Sequence, residues 1–179
     1  VSEGAFTTLV WDASALVAAI RADRLDVLGA LVPHFDNVTT TVVESELKSL
    51  GLGTLARHSW LTIVPLDELD EFDALLAWSD RMGAAAGHNR GESTVFAWAE
   101  VHSALPIIDD SDARRIAETY NVESHGTLWV FAEAVNSGLE SEKSLCGLID
   151  MLITVGRARY PFSSGADFGT WARNKQLLR

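Results

Sequence analysis

Cysteine is almost absent: Cys146 stands alone among 179 residues, so no internal disulfide can form and no zinc-type Cys/His spacing exists. A chain so built suits a reducing compartment, and the cytoplasm is the expected location. Long apolar runs are missing too. The longest, such as ALVAAI after Ser14, fall far short of a bilayer span, so no membrane partner is expected. Lysine is scarce, with three (Lys48, Lys143, Lys175) beside eleven arginines and 25 acids, for a net charge of −11. That balance argues against holding nucleic acid by bulk electrostatics, which draws on basic surface. It is compatible with a carboxylate cluster whose charge a divalent cation offsets. Several signatures are also lacking. There is no glycine fingerprint for a dinucleotide or a P-loop, and no G-x-S-x-G elbow. Only one aspartate follows the first apolar run in WDAS, which excludes the D-x-D pair of a dehalogenase-type phosphatase. The acidic pair of a response-regulator receiver would belong after the first strand, with a lysine after the last. Here the pair follows the fourth β candidate, and no lysine lies between Lys48 and Lys143.

What is present is alternation. Short β-like runs at 7–12, 37–41, 60–66, 105–109 and 120–124 are interleaved with helical periodicity at 13–32, 42–51, 67–82, 92–104 and 112–119. Further helical segments follow at 127–137, 141–156 and 166–176. The pattern predicts an α/β fold with a mostly parallel sheet, in one domain with a single core. The stretch MGAAAGHNRG (82–91) reads as a loop inside that domain. In open α/β sheets ligands collect beyond the carboxyl ends of the strands, where Asp12 and Asp109 both fall.

The acids are the informative residues. Asp12 precedes ASALVAAI and suits a helix N-cap. In TTTVVESELKSL, Thr41 and Glu44 have capping-box spacing, whereas Glu46 falls on the apolar stripe of Val43, Leu47 and Leu50. An inward acid is costly unless it is paired or bound to a cation. Glu92, in GESTVFAWAEVH, shares its helical face with Val95, Phe96 and Ala99, while Glu100 lies opposite. First-turn dipole compensation fits the position of Glu92 but not the apolar character of its face. In LPIIDDSDAR, Asp109, Asp110 and Asp112 outnumber the single cap that the following helix needs. Four separate elements thus each place an acid at a strand end or a helix start. Oxygen donors without His or Cys select hard cations, Mg²⁺ or Mn²⁺, and such a site suits phosphodiester hydrolysis.

These segments together resemble the PIN-domain nucleases, metal-dependent ribonucleases that include the toxins of many toxin–antitoxin pairs. The resemblance rests on TLVWDASALVA, TTTVVESELKSL, GESTVFAWA, LPIIDDSDARRIAETYNV and VESHGTLWVFAEAVNSGL, and covers residues 7–156. It implies a three-layer α/β/α fold with a five-stranded parallel sheet of order 3-2-1-4-5 and helices on both faces. It also implies Mg²⁺ or Mn²⁺ in an acidic groove, an RNA substrate, an antitoxin partner and a homodimer. Asp12 matches the first acid of the family, Glu46 the second and Glu92 the third. The fourth lies in DDSDAR, with Asp110 the better fit and Asp109 close behind. Asp12, Glu92 and Asp110 (or Asp109) are the expected metal ligands, with Glu46 ordering water or a second ion. Ser14 matches the small hydroxyl residue two positions after the first acid. A PIN-like module that binds protein or RNA without turnover is the alternative. The chain departs from the small toxins in its acidity and in a tail, 157–179.

Arg81, Arg90, Arg114, Arg115 and Lys48 are expected near the groove rim, where Arg114 is a candidate phosphate contact and solvation is the commoner fate of such residues. Trp98 and Trp129 are expected in the core, and Trp171 against the body or a partner. His88 and His125 are expected in solvated loops, and Cys146 as a small core hydrophobe.

Overall fold

A computed structural model describes residues 6–84 and 89–179, so His88 and the rest of 85–88 within the 82–91 stretch lie outside the described residues. Four strands occur among them: β1 (Thr8–Trp11), β2 (Asp36–Thr40), β3 (Thr62–Val64) and β4 (Leu105–Ile107). All pair in parallel, in the order β3-β2-β1-β4. Central β1 is buried from Leu9 to Trp11, which is why TLVW reads as a continuous apolar run rather than an alternating one. Helices flank the sheet: α1 (Ala13–Arg21), α2 (Leu25–Ala30), α3 (Thr41–Ser49), α4 (Leu69–Arg81), α5 (Arg90–His102), α6 (Ser111–Thr119), α7 (Thr127–Asn136), α8 (Glu142–Thr154) and α9 (Phe168–Asn174).

The expected fifth strand over 120–124 does not form. Asn121 adopts a left-handed backbone (φ 57°) directly after α6, so the chain turns there instead of extending. The sheet's outer position is taken by a single parallel bridge between Ile107 and His125. Its rungs are Ile108 N–H to His125 O (2.7 Å) and His125 N–H to Pro106 O (3.0 Å). The 13–32 helix is likewise two helices, divided where Asp23 takes a left-handed φ of 52°.

The start of α3 also differs from expectation. Thr40, not Thr41, is the N-cap and accepts from Val43 N–H (3.2 Å), so the Thr41–Glu44 capping box is absent. Glu44 instead accepts from Thr54 Oγ1 and pairs with Lys48. Leu50 lies past the end of α3 and is 62% exposed, which removes it from the apolar stripe.

The core joins the sheet to the helices through Leu16, Val43, Phe96, Ile107, Val130, Phe131 and Ile149. The tail belongs to it. Phe168 and Ala172 of α9 are fully buried, and the Phe168 ring meets Phe131 edge-on at 6.2 Å. Burial of side chains of this size stabilises by about 1.5–3 kcal/mol each.

Candidate functional site

Asp12 stands where β1 passes into α1. Its N–H donates to Ile107 O of β4 (3.0 Å), which brings the ends of β1 and β4 together. Its Oδ2 caps α1, accepting from Ser14 N–H (2.8 Å) and from Ser14 Oγ (2.5 Å). Ser14 Oγ in turn accepts from Asp109 N–H (3.0 Å). The other oxygen, Asp12 Oδ1, is buried with no hydrogen-bond partner. Burial drives the Asp12 carboxyl above its ordinary pKa; the Ser14 bonds oppose that rise and the charge of Asp110 adds to it. The N-cap and the cluster reading of Asp12 thus hold together, one for each oxygen.

Two further acids come from the crossing of α3 and α5. Thr40 and Thr94 hydroxyls meet at 2.8 Å and tie the end of β2 to the first turns of α5. Further along α3, Glu46 Oε1 accepts from Gly91 N–H (3.0 Å). A Cβ at position 91 would strike the Glu46 carboxylate, so glycine is what permits the approach. Glu46 is half-buried, and its pKa is raised by burial first and then by the charge of Asp12, against Gly91 N–H and the Arg90 guanidinium. Glu92 is pushed up to about 7, by burial and then by the charges of Asp12, Glu46 and Asp110, while its own N–H pulls it down.

Asp110 completes the group from an exposed position at the start of α6. Its Oδ1 caps that helix, accepting from Asp112 N–H (2.8 Å) and Ala113 N–H (2.9 Å). Asp12, Glu46, Glu92 and Asp110 therefore share one electrostatic environment at the carboxyl edge of the sheet. Asp109 does not join them. It accepts from Thr127 N–H (2.7 Å) and Thr127 Oγ1 (2.8 Å) at the start of α7, beside Arg114. Burial raises its pKa, and Thr127 and Arg114 hold it back. Arg114 is turned inward as well, with Nη1 donating to Ile108 O.

Among the described residues no three His, Cys, Asp or Glu side chains close into a ready-made cation cage. The cluster is open. Its donor set is nevertheless all oxygen, and Asp12 Oδ1 is an orphaned buried acceptor in its middle. Those two properties fit a hard divalent cation of the Mg²⁺ or Mn²⁺ type. Such an ion would favour the ionised form of each neighbouring carboxyl.

Several residues of this region carry no motif in the sequence. Thr127 anchors Asp109, Gly91 admits Glu46, and Tyr160 hydroxyl lies 3.1 Å from Thr127 Oγ1. The Gly–Thr pair that opens α7 offered a helix-start signal for Thr127, whereas nothing local marked Tyr160. Trp129 packs against the core as expected, as a partly buried side chain. His125 departs from expectation: it is half-buried and its ring stacks face to face on that of Trp129, 4.6 Å apart with 4° between planes.

A parallel sheet flanked by helices, with acids gathered beyond the ends of β1 and β4, defines a nuclease-type α/β protein. A family model described as a PIN domain matches residues 8–161, and the chain belongs to that family. No curated protein matches the chain. No helix among the described residues is long and apolar enough to cross a membrane.

Proposed function

We propose that the protein is a divalent-metal-dependent endoribonuclease. The observation that carries this reading is Asp12 Oδ1, a buried oxygen without a partner, surrounded by the charges of Glu46, Glu92 and Asp110. Asp12, Glu92 and Asp110 would hold Mg²⁺ or Mn²⁺. A bound ion of this kind polarises a phosphoryl oxygen and helps water act as a nucleophile. Ser14 fixes the Asp12 carboxylate through Oδ2, leaving Oδ1 for the cation. Glu46, steadied by Gly91 N–H, would accept a hydrogen bond from the attacking water. A P–O bond forms to that water, the bond to the leaving ribose oxygen breaks, and a proton passes to the leaving oxygen. Arg90, whose charge Glu46 feels, would meet a flanking phosphate.

An antitoxin partner and a homodimer remain part of the same proposal, tested by co-purification and by solution mass. The chemistry is tested on Asp12→Asn, which keeps the N-cap oxygen but removes the charge. Wild-type protein should release or absorb heat on Mn²⁺ titration and cleave single-stranded RNA only with the metal. The variant should do neither while melting cooperatively. Full metal-dependent cleavage by Asp12→Asn would overturn the assignment, and a wild type silent towards Mn²⁺ would favour the non-catalytic binding module.

A further inference from the structure

Directly beside the acidic cluster lies a second cavity, of about 470 Å³, on the opposite side of the Asp109–Asp110 peptide. Asp110 faces the cluster, whereas Asp109 lines the cavity, and consecutive Cα atoms are only about 3.8 Å apart. Its lining is otherwise largely aromatic and basic: Arg114, His125, Trp129, Arg159, Tyr160 and Trp171. Three of these, Arg159, Tyr160 and Trp171, come from the tail beyond α8, so the segment 157–179 builds part of the chamber. In a chain of net charge −11 this is a local excess of cationic side chains. Its one lining carboxylate, Asp109, is already engaged by Thr127 N–H and Oγ1.

The groups are held in place. His125 is fixed from three sides: its backbone pairs with β4, its ring stacks on Trp129, and Nε2 lies 2.9 Å from Glu123 Oε1. Tyr160 is tied to Thr127. Arg114 spends one N–H on Ile108 O, and a guanidinium has five. Gly126 keeps the floor open, since a Cβ there would come within 2.7 Å of Asp109 Oδ1 and 3.2 Å of Arg114 Nη1. The volume suits a small-molecule-sized group. Flat π surfaces accept any base, and guanidinium groups favour phosphate.

We propose that this cavity seats the unpaired nucleotide adjoining the scissile phosphodiester, its base against the His125–Trp129 and Trp171 aromatics and its phosphate at Arg114 and Arg159. The inference rests on the nuclease reading of the acidic cluster and adds to it a binding subsite for one unstacked base. It also assigns the tail a role as one wall of a substrate subsite. A base locked in a duplex cannot enter, because its faces are covered by its neighbours in the stack.

Binding can be separated from cleavage. A fluorescein-labelled single-stranded RNA octamer of mixed sequence is titrated by anisotropy in EDTA against the wild-type full chain, Arg159→Ala, Arg159→Lys and Trp129→Leu. Arg159→Ala should weaken binding about fivefold or more and lower the salt slope by about one phosphate contact, with Arg159→Lys recovering part of the loss. Trp129→Leu should cost about fivefold or more, the lower range of base stacking. Unlabelled duplex RNA should compete poorly. If Trp129→Leu fails to fold, the exposed Arg159 decides the matter alone. Wild-type affinity in both variants, or equal competition by duplex, overturns the subsite, even where Mn²⁺-dependent cleavage leaves the nuclease reading standing. Loss of binding in the variants supports the subsite, even where the wild type proves silent towards Mn²⁺ and the nuclease reading falls. No binding of the octamer by the wild type overturns the subsite as well.

Discussion

Ser14 Oγ lies 2.5 Å from Asp12 Oδ2 and at the same time accepts from Asp109 N–H at 3.0 Å, so one hydroxyl joins the first acid of the cluster to the end of β4. Removing it in Ser14→Ala leaves Asp109 N–H without its partner and the Asp12 carboxylate held by the position-14 N–H without the hydroxyl. Unfolding in EDTA should become easier by about 1–3 kcal/mol, the cost of leaving a largely buried polar group unmet. Mn²⁺ affinity should fall as well, because a carboxylate that has lost one of its two bonds to residue 14 is less firmly set with Oδ1 towards the cluster. Urea melts and calorimetry read the two effects separately. Unchanged Mn²⁺ affinity alongside lost stability would reduce Ser14 to a structural role.

Glu92 sets a pH dependence of stability with a definite sign. Its folded pKa, about 7, lies above the ordinary 4.5, so the folded state binds the proton more tightly than the unfolded chain does. The contribution is fully present below about 4.5 and is lost as pH rises through about 7. Asp12 and Glu46 shift in the same direction, whereas Glu44 and Glu71 are lowered and act oppositely at acid pH. The difference between wild type and Glu92→Gln isolates the group: in EDTA, wild-type stability relative to the variant should decline between pH 4.5 and 7. Saturating Mn²⁺ should reverse that decline for the wild type and do little for the variant. Melts at four pH values, with and without metal, check both statements.

Asp109 and Asp110 should separate cleanly in experiment. Asparagine is as good an N-cap as aspartate, so Asp110→Asn should keep α6 intact while weakening Mn²⁺ binding and cleavage. Asp109→Ala strips Thr127 of its acceptor and leaves Arg114 facing an apolar methyl group. Its main effect should be a loss of about 1–3 kcal/mol of stability. A normal melt with abolished Mn²⁺ binding for Asp109→Ala would exchange the two assignments.

Which parts of this arrangement could be read from the residues alone follows from how local each signal is. TLVWDAS announces a buried strand and its capped helix within seven positions, and both are found. The two aspartates of IIDD cannot be told apart that way. Their directions depend on which of them caps α6 and on Thr127, eighteen positions on. The missing fifth strand has a similar origin: YNVES is apolar enough to extend, but the left-handed turn at Asn121 leaves only His125 to bridge β4. Glu71, in the acid-rich LDELDEF, carries no local signal of burial and yet is 2% exposed. It accepts from the Asp67 and Glu68 N–H groups and lies 2.7 Å from His102 Nε2, a partner on another helix. Helical periodicity places Trp129 against the core, as found, but cannot show that its ring also lines a cavity walled in part by Arg159, Tyr160 and Trp171 of the distant tail.

Gly91→Ala offers the sharpest test of Glu46, because its two consequences have opposite signs. Alanine is the better helix former, by up to about 1 kcal/mol within a helix. Its methyl group, however, displaces the Glu46 carboxylate from Gly91 N–H and thereby loses a hydrogen bond to a charged group. The end of a glutamate can swing into solvent cheaply, so net stability should stay within about 1 kcal/mol of wild type. Activity should not stay level. With Glu46 out of place, metal-dependent cleavage should fall, while Mn²⁺ affinity, set by Asp12, Glu92 and Asp110, should change much less. Glu46→Gln should lower cleavage to a similar degree by a different route. If both act through the same carboxylate, the double variant Gly91→Ala/Glu46→Gln will be no worse than the more damaged single one. Losses that simply multiply would mean that Gly91 serves the site through something other than Glu46.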